Sequence, residues 1–121
     1  QAEAMLGKGR SKGALEKVQL SIDMARDLGE PMNLGTALRV HGQVLFAQGK
    51  IQAALSDFEQ SYQLLHDQDP YEAARTQVQW AYALEHVSKD GQGEKLLEKA
   101  RATFRKLGAN HDLVGLPPTG G

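Results

Sequence analysis

The chain has no cysteine among its 121 residues, which removes disulfides and thiolate metal ligands and is compatible with a reducing compartment. It has no excess of either charge: 14 basic residues against 15 acidic ones give a formal net charge of -1. No sequence-wide attraction to nucleic acid or to an anionic membrane follows, so neither is expected as a partner. No apolar run approaches the roughly 18 residues of a membrane-spanning helix, and nothing at Gln1 reads as a signal peptide. The first residues, Gln1-Ala2-Glu3-Ala4-Met5-Leu6, instead carry a helical pattern, as if the chain were a piece of something longer. Strand-like alternation of useful length is also missing, which leaves all-α as the fold class.

What is present is helical periodicity punctuated by glycine. Gly9, Gly29 and Gly49 fall twenty residues apart, and Gly108 closes the last periodic segment. Glycine takes the left-handed conformation just past a helix end without steric cost, so the comb reads as a series of helix stops. Between the stops lie amphipathic stripes. Leu15, Val18, Ile22, Ala25 and Leu28 share one helical face, and Leu55, Phe58, Tyr62 and Leu65 share another. Leu97, Ala100, Phe104 and Leu107 repeat the same steps. In Asp69-Pro70-Tyr71-Glu72, Asp69 can cap free amides, Pro70 suits the first helical position and Glu72 sits where a capping box wants an acid. The helix that follows carries two stripes, Ala73/Trp80/Leu84/Val87 and Ala74/Val78/Ala81, and should be packed on two sides. Residues 109–121 show no core-forming pattern and read as an extended tail or linker.

The stripes also repeat one another. Ala14, Ala54 and Gly93 line up at offsets of 40 and 39, and so do Val18, Phe58 and Leu97, and Ser21, Ser61 and Ala100. Self-similarity at this period is the signature of a solenoid, whose units bury their apolar faces against each other. In the middle unit Leu38, Gly42, Leu45, Gly49, Ala54 and Phe58 stand at the offsets of a tetratricopeptide repeat, with His41 where that family prefers leucine. The chain resembles that family over residues 1–108, as about two and a half repeats. In the third unit Ala81 and Ser88 replace the two glycines, Gly93 the alanine and Leu97 the aromatic. The long period is similar to that of variants in kinesin light chain and in bacterial signalling proteins.

The resemblance implies antiparallel helix pairs stacked as a right-handed solenoid. It implies a non-catalytic, cytoplasmic module that binds protein or peptide as the sensor or scaffold part of a larger bacterial signalling or regulatory protein. The first helix of each pair would line the concave surface, which assigns Thr36, Arg39, Gln43 and Phe46 from one unit and Arg75, Val78, Tyr82, Glu85 and His86 from the next. Two solvent-facing arginines beside Phe46 and Tyr82 would suit a segment carrying acidic and apolar groups. The family's carboxylate clamp for chaperone C-termini is not matched, since Arg39 and Gln43 stand where it needs lysine and asparagine.

Against catalysis, the four histidines His41, His66, His86 and His111 show no metal-ligand spacing, no serine lies in a nucleophile elbow, and Gly7-Lys8-Gly9-Arg10 lacks a Walker pattern. No enzyme activity, metal or cofactor is expected. Trp80 and Phe104 lie on apolar stripes and read as core rather than ligand-stacking rings. Leu116-Pro117-Pro118-Thr119-Gly120 is similar to the pentapeptide that sortases cleave, but the apolar and basic stretch of an anchoring signal does not follow it in this sequence, and a linker is the simpler account. The competing expectation is self-association through uncapped ends of the solenoid, Ala2/Met5/Leu6 at one terminus and Leu97/Phe104/Leu107 at the other, giving a homo-oligomer.

Overall fold

The structure, a computed structural model, describes residues 2–88 and 90–116, with side chains described from Gly13 onward. Six helices succeed one another within them: α1 (Ala2–Leu28), α2 (Pro31–Ala47), α3 (Ile51–Leu65), α4 (Pro70–Val87), α5 (Gln92–Leu107) and α6 (Asn110–Val114). There is no strand among the described residues, and the fold is all-α. Each helix packs on its neighbour in the chain, most extensively α2 on α3 and α4 on α5, which makes the molecule a row of helix pairs.

The ends of these helices follow local chemistry. Gly29, Gly49 and Gly108 have φ values of +65°, +82° and +70° and close α1, α2 and α5. At Gly49 the turn lets the Lys50 amide reach back to the Leu45 carbonyl at 2.9 Å, satisfying an acceptor that the helix leaves open. Gly9 is different. α1 runs through it without a break, because glycine permits a helix stop but does not impose one, and inside a helix it costs only about 1 kcal/mol. Asp69 caps α4 as expected, its carboxylate accepting the Glu72 amide at 3.1 Å. Glu72 departs from the capping box, since its own carboxylate turns away to arginines on α2 and α4.

Residues 109–121 are not simply an extended tail. Asn110–Val114 form α6, and Leu113 and Leu116 pack on the cluster of Ala74, Val78, Ala81, Leu97, Ala100 and Phe104. The stretch is too short to show a helical period, so only the apolar surface it meets reveals its role. The sortase-like motif lies outside the described residues beyond Leu116.

Two contacts bring α2 down onto α3. A Cβ placed on Gly35 would lie 2.6 Å from Leu65 Cγ, and one on Gly42 would lie 2.7 Å from the Phe58 ring. Leu65 and Phe58 are wholly buried, so neither can step aside into solvent. Gly42 therefore meets Phe58, while Ala54 is buried with Leu45, Phe58 and Ala83 in the same cluster. The second pair uses alanines for glycines: Ala74 and Ala81 on α4 face Leu97, Ala100 and Phe104 on α5. Here α5 supplies the glycine, as a Cβ on Gly93 would come within 2.9 Å of the Ala81 carbonyl oxygen. α4 is buried on two sides, through Ala74 and Val78 toward α5 and through Ala83 and Trp80 toward the Leu45/Phe58 cluster. Trp80 and Phe104 thus belong to the packing.

The end faces differ from those expected. Leu97 and Phe104 are buried, and of that terminal set Leu107 is half exposed. Ala2, Met5 and Leu6 fall where side chains are not described. The exposed apolar surface lies instead along α1, where Leu20, Met24 and Leu28 are each more than three-fifths exposed, although Ile22 and Ala25 of the same helix are buried.

Replacing Gly42 with leucine forces a branched side chain into the Phe58 ring. The Gly42→Leu protein is expected to lose about 1–3 kcal/mol of stability, read as a lower urea midpoint, with the helical circular dichroism retained. An unchanged midpoint would mean that α2 and α3 do not meet at this residue.

Candidate functional site

Eight of the nine residues assigned from the sequence line two adjoining hollows on the faces of α2 and α4. The first, of about 310 Å³, takes Arg39 and Gln43 from α2 and Arg75, Val78 and Tyr82 from α4. The second, of about 560 Å³, is lined by Phe46, Tyr82, Glu85 and His86. Tyr82 belongs to both. Across the second hollow the Phe46 and His86 rings meet edge to face, their centroids 4.9 Å apart, which fixes the Phe46 ring on the wall. Thr36 is the exception. It lines a separate groove between α1 and α2, and its hydroxyl donates to the Met32 and Asn33 carbonyls of its own helix.

The two arginines do not stand as a matched pair in solvent. Arg39 is 7% exposed, and its guanidinium lies 2.5 Å from the Glu72 carboxylate and also donates to the Glu72 carbonyl at 3.3 Å. Arg39 is off the apolar stripe of α2, but α4 covers that side of the helix and buries it. Arg75 is exposed and makes a longer contact, 3.4 Å, to the other oxygen of Glu72, with its guanidinium 5.8 Å above the Tyr71 ring. One carboxylate therefore joins α2 to α4 through Arg39, and Arg75 is the more exposed of the two arginines that line the hollow. A buried pair of this kind contributes less to net stability than to register, because both charges give up water.

The sequence assignments miss the far wall of the first hollow. His111, Asp112, Gly115 and Leu116 line it, from α6 and the residues after it. The Tyr71 hydroxyl donates to Asp112 at 2.9 Å and ties α6 to the start of α4. That hydrogen bond, with burial and the Asp112 charge adding to it, raises the phenol's pKa above its ordinary value. No sign of this wall was read from the sequence; the signal that could have found it is the pair Leu113 and Leu116 in a stretch without periodicity.

A second polar pair escaped sequence reasoning altogether. His41 on α2 and Asp57 on α3 meet through the ring Nδ1 and a carboxylate oxygen, both side chains being largely buried. His41 thus faces an acid on the neighbouring helix. Burial pushes the Asp57 carboxyl above its ordinary pKa, and the bond and charge of His41 offset part of that rise. Among the described residues no group of three His, Asp or Glu side chains converges in a way that could hold a metal. No helix there is long and apolar enough to cross a membrane.

Compared with protein-family models, curated proteins and solved structures, the chain has no match in any of the three. The likeness to tetratricopeptide repeats therefore rests on its own residues and spacings.

The raised Asp57 pKa has a definite sign in stability. A carboxyl that holds its proton more tightly folded than unfolded contributes stability present below the unfolded value, 3.8, and lost as pH rises through the folded value. Wild type should therefore lose stability relative to Asp57→Asn as the pH is raised from the unfolded value of 3.8 through the higher folded one, measured as the difference in urea midpoints. A difference that is flat with pH would mean that Asp57 titrates alike in the folded and unfolded chain.

Proposed function

We propose that the chain is a non-catalytic protein-binding module of tetratricopeptide-repeat type, which takes an acidic, apolar segment of a partner protein into the hollows on α2 and α4. The reading extends to a sensor or scaffold part of a larger bacterial signalling or regulatory protein, acting in the cytoplasm. The observation that carries it is that Arg75, Tyr82 and Phe46 line two adjoining hollows that share Tyr82. Aromatic rings held by packing offer area at little entropic cost, and an exposed guanidinium can fork onto a carboxylate. Glu72, already shared by Arg39 and Arg75, supports the same view, since a partner carboxylate can take over the long contact to Arg75 while the short one to Arg39 keeps α2 on α4.

The two arginines consequently have different mutational signatures. Selection of displayed peptides on the immobilised protein should enrich sequences that combine acidic and aromatic or aliphatic residues. The double variant Arg75→Glu/Tyr82→Ala should keep wild-type helicity and weaken such peptides by more than tenfold, most strongly at low salt, where exposed charges are least screened. Equal peptide affinities for wild type and variant would remove α2 and α4 as the binding surface. Arg39→Ala should show itself first in stability, with a loss of about 1–3 kcal/mol because Glu72 is left part-buried beside fewer partners.

A further inference from the structure

The two hollows that meet at Tyr82 differ in charge. The first is lined by two arginines and one acid, Asp112, and its more exposed arginine, Arg75, is the one assigned to a carboxylate of the partner. The second is lined by Phe46, Tyr82, Glu85 and His86, which include one acid and, among the described residues, no lysine or arginine. A segment acidic along its whole length would thus find an attractive charge in one hollow and a repulsive one in the next.

Glu85 is held in place by the start of α5. A Cβ on Gly93 would lie 2.7 Å from Glu85 Oε2 and 3.0 Å from its Cγ, so the half-buried side chain rests across the glycine and owes its position to the missing methyl group. Gly93 is the second residue of α5, where amides without helical partners and the positive end of the helix dipole favour an ionised carboxylate. A carboxylate offers about four acceptor positions, so one that leans on α5 keeps others for the hollow. The rings beside it suit the same kind of guest. Tyr82, Glu85 and His86 are one turn apart on α4, and the Phe46 ring is fixed edge to face against His86. The faces of phenylalanine and tyrosine carry negative potential and attract a cation within about 6 Å of the ring centre.

We infer, resting on the reading of the two hollows as one peptide-binding surface, that the second hollow receives a lysine or arginine side chain of the partner. The bound segment then carries opposite charges: an acid at Arg75, an apolar residue at Tyr82 and a base at Glu85 and Phe46. Arg75 and Glu85 lie ten residues apart on α4, about 15 Å along its axis. An extended segment advances about 3.3 Å per residue and turns alternate side chains to the same side. Acid, apolar residue and base at positions i, i+2 and i+4 span about 13 Å, and all three face the surface. Arginine suits the second hollow better than lysine, because its planar guanidinium can lie on a ring face while it forks onto the carboxylate.

The probes are fluorescein-labelled peptides of the pattern Glu-Ser-Phe-Ser-X, flanked by glycine and serine and made in both orders. X is arginine, its neutral isostere citrulline, or glutamate. Titrated with the intact protein and followed by anisotropy, the arginine peptide in its better order should bind about fivefold more tightly than the citrulline one, with glutamate weakest and the gap narrower at high salt. Glu85→Gln should close the gap between arginine and citrulline, read as a double-mutant cycle. Phe46→Leu, which keeps an aliphatic side chain against the Leu45 and Phe58 cluster, should narrow it. Arg75→Glu/Tyr82→Ala should weaken both peptides. Equal affinity of the arginine and citrulline peptides for wild type, or a gap that survives Glu85→Gln, overturns the inference; the proposed function then stands if the double variant still weakens both peptides. Absence of binding by every peptide, or binding that the double variant leaves intact, overturns the two together.

Discussion

Close approach between helices at small side chains is the constraint on which the rest of this structure depends. Gly35 and Gly42 leave no room even for a methyl group between α2 and the buried Leu65 and Phe58. Because the contact is backbone against side chain, it sets how deeply one helix sits in the groove offered by the next two. Ala74 and Ala81 do the same work on α5, with Gly93 making up the difference in depth. A fold made of such steps has no single central core, and its apolar residues fall into clusters that belong to successive helix pairs.

That arrangement decides what its polar residues can do. With α2 and α4 held side by side, the start of α4 comes under Arg39, and Glu72 becomes the link between two helices that otherwise touch lightly. The same helix start places Tyr71 where it can hold Asp112 and with it α6. The hollow between these parts owes its two walls to one short stretch, Pro70 to Arg75, which caps a helix, joins it to α2 and anchors α6. Asp57 and His41 form a comparable link between α2 and α3, bought with the burial of a carboxylate that would otherwise stay in water.

Much of the fold was legible because the relevant forces act within a few residues of chain. The left-handed glycines at 29, 49 and 108, the Asp69 cap and the two-sided pattern of α4 were each expected from local sequence and stand in the structure. Gly9 was misread, since a glycine marks a permitted stop and only its surroundings make it a real one. α6 was missed because five residues do not suffice to show a period. Among the residues assigned from the resemblance, Phe46, Tyr82, Arg75 and their neighbours line the hollows on α2 and α4. Thr36 went to the wrong groove and Arg39 to the wrong environment, as helical position tells which side a residue faces but not which helix covers that side.

By itself the sequence determined the all-α class, most helix ends and the period near 40, because backbone conformation and amphipathic stripes are properties of neighbouring residues. Only the tertiary structure decided that Arg39 shares a carboxylate with Arg75, that His41 meets Asp57, and that Ser61 meets Thr76. Those outcomes turn on residues 15 to 36 positions apart brought together by helix packing.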